Sequence, residues 1–204
     1  MKDYGVTFDT TRPAKFDRAQ VFIRILIIVI LSILAGAIGW VLGFVYLGIP
    51  VLAAVLISQQ GPERYLAESD DTITKWLGFI IGFYAYLSLL TDRLPAGEST
   101  GTQAVRLEVR PSGSPSAGNA LLRLILAIPS AVVLGLLWLV GAILIVIAAI
   151  SILANESYPS AIYDFLRGLN RWAARLLIYL ASLVEEYPPF SLDTQALSEA
   201  AASG

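Results

Sequence analysis

Residues Ile25 to Ile57 read ILIIVILSILAGAIGWVLGFVYLGIPVLAAVLI, with no charged side chain and side-chain hydrogen-bonding groups only at Ser32, Trp40 and Tyr46. A bilayer span needs about 20 predominantly apolar residues and a buried helix of a soluble domain fewer still, so the run reads as a membrane segment. As one straight helix it would reach about 50 Å at 1.5 Å per residue, against a hydrocarbon core of about 30 Å. It must tilt steeply or turn back on itself, and Gly36-Ala37-Ile38-Gly39 offers a place to bend.

Composition extends the argument outward from that run. Hydrophobic residues make up 56% of the 204 and charged residues 15%, well below the roughly one quarter charged of soluble domains. The expected class is therefore mainly α and integral to a membrane. Without cysteine or histidine the chain has no thiol nucleophile, no imidazole acid or base and no zinc site built on those ligands. Asp70-Asp71 and Glu185-Glu186 are adjacent pairs, and neighbours in sequence do not face each other on a helix. No phosphate-binding glycine loop or nucleophile motif is present. The expectation is a protein that is not an enzyme, with no catalytic residue, no metal and no cofactor. A net charge of −2 gives no bulk basic character for nucleic acid.

The polar start, Met1 to Gln20, is followed by an apolar run far longer than a signal-peptide core, so it reads as a retained anchor despite the small residues Ala35-Gly36-Ala37.

The second half repeats the first. At an offset of 99 residues Arg24 falls on Arg123, each opening a long apolar run, and Val6-Thr7-Phe8-Asp9 falls on Val105-Arg106-Leu107-Glu108, two alternating segments that read as strands. Lys75-Trp76 matches Arg171-Trp172 at 96, and Leu94-Pro95 matches Tyr187-Pro188 at 93. The layout is two tandem pseudo-repeats: 1–95, a Gly/Ser/Thr/Pro-rich linker at 96–103, 104–192, and a disordered tail at 193–204. Each unit runs short strand, long apolar run (hairpin or tilted helix) and Trp-led helix. The second run, Leu124 to Ala154, has Pro129 near its start.

A lone strand leaves its ladder groups unpaired, so the two strands are expected to pair with each other, on one side of the membrane. Each unit then crosses an even number of times, giving about four crossings. Lys2, Arg12, Lys15, Arg18, Arg24, Arg93, Arg106, Arg110 and Arg123 flank the long runs, which places both ends in the cytoplasm by the positive-inside rule. Tight hairpins with a Trp-led helix lying flat at the interface are the favoured version. Three crossings per unit, an inverted repeat of the transporter kind, is the rival.

Val105 to Val109, Ala127-Ile128-Pro129, Tyr158-Pro159, Phe165-Leu166-Arg167-Gly168, Arg171-Trp172 and Tyr187-Pro188-Pro189-Phe190 together resemble a family of bacterial membrane proteins known as domain of unknown function 4389. The resemblance covers about 104 to 192. The first unit departs from it, with Gly61-Pro62 in place of Tyr-Pro and Asp92-Arg93-Leu94-Pro95 in place of the closing motif. It implies an integral membrane domain, often repeated, and no catalytic residue.

Side chains with a functional reading are few. Arg24, Arg123, Arg171 and Arg175 are candidates for contact with anionic lipid headgroups, or else snorkelling anchors, with Arg175 facing water on a flat helix. Gly39 and Gly43, and Gly78 and Gly82, have the spacing that lets helices approach closely in lipid. Trp40, Trp76, Trp138, Trp172, Tyr46, Tyr84, Tyr86 and Tyr179 fit interfacial anchoring. The function this supports is a multi-pass scaffold or accessory subunit of the bacterial inner membrane. Its expected partners are membrane lipids, other membrane proteins or itself, with no nucleic acid. A small transporter or channel at the interface between the repeats is the alternative.

Overall fold

The protein, described by a computed structural model over residues 6–10, 17–35, 38–69, 73–93 and 105–192, is mainly helical. The linker at 96–103, the tail at 193–204, the bend at Gly36-Ala37 and the pair Asp70-Asp71 lie outside the described residues.

Two short strands, β1 (Val6–Thr10) and β2 (Val105–Val109), pair antiparallel with each other. Phe8 stands opposite Leu107 at the centre, with Val6 opposite Val109 and Thr10 opposite Val105 at the ends. The pairing gives each strand the ladder partner that it would lack alone.

The first long run forms α1 (Arg18–Ala35) and α2 (Ile38–Gln60). At Gly61, whose φ of +84° suits glycine, the chain turns through 118° into α3 (Pro62–Ser69). α4 (Ile73–Leu87) follows. In the second half, α5 (Ala117–Leu126) is capped by the Ser116 hydroxyl, which accepts from the Asn119 N–H at 3.2 Å. One turn residue, Ala127, separates it from α6 (Ile128–Asn155), where Pro129 sits in the first turn and its missing N–H is harmless. α7 (Ser160–Leu180) completes the fold.

The second long run is thus not a hairpin. α6 is one unbroken helix of 28 residues, about 42 Å long at 1.5 Å per residue. Among the described residues it is the one helix that is by itself long and apolar enough to cross a membrane, and only 17% of its most apolar stretch is buried.

The core centres on α7, which is buried almost without interruption from Leu166 to its end. α6 covers one face: a Cβ at Gly141 would lie 3.1 Å from Leu169 Cδ1 and 3.3 Å from Leu166 Cδ2. β1 covers the polar face, which carries Arg167 and Arg171, and α4 packs alongside. The flat helix with Arg175 in water is therefore corrected, because Arg175 is 8% exposed inside this packing. Trp76 and Trp172, equated by sequence, also differ: 66% of Trp76 is exposed and 3% of Trp172.

Candidate functional site

The polar side chains of this fold gather at the C-terminal ends of α4 and α7. A helix end leaves backbone carbonyls without intrahelical donors, and these need partners when buried. Both helices close with the same device. The Leu90 N–H reaches Ala85 O at 3.0 Å, with Leu89 at φ 63°; the Leu183 N–H reaches Ile178 O at 3.3 Å, with Ser182 at φ 58°. This is a Schellman closure in which Leu and Ser take the left-handed position that glycine usually fills.

An arginine meets each end. Arg123 Nη1 donates to Tyr179 O at 2.7 Å and Val184 O at 2.6 Å, and its guanidinium lies 4.5 Å over the Tyr179 ring. Arg24 Nη2 donates to Thr91 O at 2.5 Å and Asp92 Oδ1 at 2.9 Å, and lies 4.4 Å over the Tyr86 ring. A cation at a helix C-terminus also meets the negative end of the helix dipole. Two phenols complete the caps: Tyr65 donates to Ala181 O at 2.5 Å, and Tyr158 to Ser88 O at 3.2 Å.

Between the ends runs a buried polar seam. Asn170 Nδ2 donates to Ser88 Oγ at 3.1 Å and to Leu166 O at 2.9 Å, and Tyr163 OH pairs with Thr10 Oγ1 at 2.9 Å. Arg171 Nε donates to Phe8 O at 3.1 Å, while Arg167 lies 3.1 Å from Asp164 and 3.9 Å from Asp9. These bonds tie β1 to the polar face of α7. No group of three or more metal-ligating side chains occurs among the described residues.

The four arginines read as headgroup contacts are all buried. Arg24, Arg123 and Arg171 each donate to a backbone carbonyl inside the fold, and Arg24 Nε and Nη1 are buried without a hydrogen-bond partner among the described residues. Tyr86 and Tyr179, read as interfacial anchors, are buried beneath arginines. Gly78, read as a helix contact, faces a strand, since a Cβ there would lie 3.9 Å from Leu107 Cδ2. Gly82 is buried on α4. Gly39 and Gly43 lie in α2, with surroundings outside the described residues. Sequence reasoning passed over Tyr65, Thr91, Asp92, Tyr163 and Asn170. One signal was available: Tyr65 and Tyr86 stand the same 93 residues before Tyr158 and Tyr179 as Leu94 before Tyr187.

The family-type residues close the second half. Pro159 precedes α7, and the segment after it folds back along the helix. Tyr187 OH meets Ser130 Oγ at 2.7 Å, its ring lies 5.4 Å from that of Tyr179, and Phe190 stands edge-on to Trp172 at 5.5 Å. Pro188 is buried beside them and Pro189 O accepts the Ser191 N–H at 2.9 Å. Gly168 makes room for this fold-back, because a Cβ there would lie 2.6 Å from Leu192 O and 2.9 Å from Leu192 Cβ. Gly168→Ala is accordingly expected to lift the closing segment at a cost of about 1–3 kcal/mol. Faster proteolysis within 187–192 and a red-shifted tryptophan emission would report it; unchanged proteolysis would contradict it.

No curated protein and no solved structure matches the chain. The part of the chain that builds the Arg123 cap, α6, α7 and the closing motif, residues 118–191, matches the model of the family described as Domain of unknown function (DUF4389).

Proposed function

We propose that the chain is a multi-pass protein of the bacterial cytoplasmic membrane, built from two copies of one unit, that serves as a non-enzymatic scaffold or accessory subunit. It crosses the bilayer about four times with both ends in the cytoplasm. The observation that carries this reading is the distribution of polarity. Arg24, Arg123, Arg167, Arg171 and Arg175 are buried, while Leu136, Leu139, Ile143, Val146 and Ile150 of α6 stand 58% to 67% exposed. A water-soluble domain rarely buries arginine and rarely exposes a continuous apolar face of this size. Lipid inverts both preferences, since acyl chains solvate the face and internal hydrogen bonds must satisfy the polar groups.

Phe22, Ile25 and Leu26 on α1, Phe44, Leu47 and Leu52 on α2, and Ile125 on α5 are also exposed. These apolar faces, rather than the buried arginines, are the surfaces for acyl chains or for the helix of a membrane partner. The seam supports holding rather than chemistry.

Three measurements test the reading. The protein should stay in the membrane fraction after alkaline carbonate washing. Single cysteines at Glu63, Ser99 and Ser157 of this cysteine-free chain should label with Glu63 and Ser157 on the periplasmic side and Ser99 on the cytoplasmic side. Purification in mild detergent should bring lipid or a membrane protein with it. A carbonate-extractable protein, or solute flux through liposomes containing it, would overturn the proposal.

A further inference from the structure

We infer that the two halves meet across an approximate two-fold axis, so that the surface between them is self-complementary and its natural occupant is a second copy of the same unit. The inference rests on the two-unit layout and is independent of the scaffold role.

In a two-fold interface, each contact from residue i of one copy to residue j of the other recurs as j to i. The strand pair meets this condition. At the offset of 99, Phe8 corresponds to Leu107, and these two stand opposite each other at the centre of the ribbon. Val6 then corresponds to Val105 and Thr10 to Val109, and the end pairs Val6 with Val109 and Thr10 with Val105 exchange into one another. Any antiparallel register of two such strands satisfies the condition; this one sets the axis on the Phe8–Leu107 pair, and a slip of one residue would move it between residues.

The capping tyrosines meet it independently. At the offset of 93, Tyr65 corresponds to Tyr158 and Ser88 to Ala181. Tyr65 of the first half donates to Ala181 O of the second, and Tyr158 of the second donates to Ser88 O of the first. The helix-on-strand contacts follow the same rule: Arg171 on α7 meets Phe8, and Gly78 on α4 meets Leu107. Those pairs agree only if α4 and α7 align at 93, so the sequence match of Trp76 with Trp172 at 96 is out of step with the fold. Within each half, Arg24 with Tyr86 and Thr91 repeats as Arg123 with Tyr179 and Val184. Two similar halves packed head to tail would set Tyr65 and Tyr158 in unlike surroundings. Reciprocal exchange at the phenols and at the helix-on-strand contacts is the mark of an isologous joint, from which the long helices depart, α6 and α2 both packing on α7 more than on α4.

The test starts from the intact chain. A protease site is placed within 96–103, and the purified protein is cut in mild detergent. The two fragments should co-elute. When tagged and untagged cut proteins are mixed, the tagged second half should recover untagged second half. A single Leu107→Cys in that half should then oxidise to a linked homodimer, because the residue on the axis meets its own copy. Val105→Cys should not link: its own copy would stand four strand residues away, about 13 Å at 3.3 Å per residue, beyond the roughly 7 Å that a disulfide tolerates. Phe8→Cys with Leu107→Cys in the uncut chain should cross-link within one molecule and certifies the ribbon. Fragments that separate, a second half that captures only first half, or equal linking at positions 105 and 107 would overturn the inference.

Discussion

Arg123→Ala should lower the unfolding free energy of the detergent-solubilised protein by about 3 kcal/mol or more, a hydrogen bond to a charged group being worth roughly 1.5–3 kcal/mol. The guanidinium holds two carbonyls, Tyr179 O at 2.7 Å and Val184 O at 2.6 Å, in a place where the arginine is 7% exposed. Removal also relieves the arginine of its own desolvation, which offsets part of the loss. The offset is incomplete, because both carbonyls stay buried and a buried acceptor without a donor costs about 1–3 kcal/mol. Arg123→Lys should recover part of the stability: the ammonium keeps the charge near the helix end but lacks the plane that stacks on Tyr179. Arg18→Ala is the counterweight. Its pair with Glu156 at 3.5 Å has side chains 50% and 31% exposed, and such surface pairs are worth about 0–1 kcal/mol. Thermal and denaturant unfolding followed by tryptophan emission would rank the three. An Arg123→Ala curve that overlays the wild type would show that the cap holds nothing together.

How much of this was open to a reader of the sequence depended on the range of the interaction. The strands were legible because alternation is local: Val6, Phe8 and Thr10 share one face of β1 whatever surrounds it, and the ends matched at an offset of 99. In sequence Pro129 reads only as a tolerated residue inside a run starting at Leu124, whereas α6 starts at Ile128 with that proline in its first turn. Whether the run beyond it folds into a hairpin was not legible, since an apolar stretch without turn residues fits one helix or two. The arginines were misplaced for a deeper reason. An arginine beside an apolar run can reach out to headgroups or in to a carbonyl, and only the position of the α7 end, 56 residues away in sequence at Tyr179, selects the inward path for Arg123. Arg171 is the same case, its partner Phe8 lying 163 residues away. Trp76 and Trp172 drew the comparison because tryptophan is conspicuous, although Tyr86-Leu87 and Leu90 match Tyr179-Leu180 and Leu183 at 93.

Ile143→Arg should reduce the amount of folded protein recovered from membranes far more than the same change at either end of α6. Ile143 lies near the middle of the helix and is 64% exposed, so the substitution removes little packing. In water, an exposed change of this kind stays within about 0.5 kcal/mol. At the centre of a spanning helix, arginine costs about 2.5–3.5 kcal/mol on the insertion scale, equivalent to roughly a hundredfold in an equilibrium constant at 1.36 kcal/mol per factor of ten. Ile128 and Asn155 are the first and last residues of the helix. From either place a long arginine stem can carry its charge to the headgroup layer, so Ile128→Arg and Asn155→Arg should approach wild-type recovery. Ile143→Ala separates charge from size, because it deletes the same side chain and adds no cation; it should remain close to wild type. The diagnostic quantity is therefore the profile along α6 and not any single value. A deep minimum at the centre requires a medium that grows more hostile to charge with distance from the helix ends, which water does not. A flat profile would place the exposed face of α6 in solvent, and the lipid explanation of the buried arginines would fail with it.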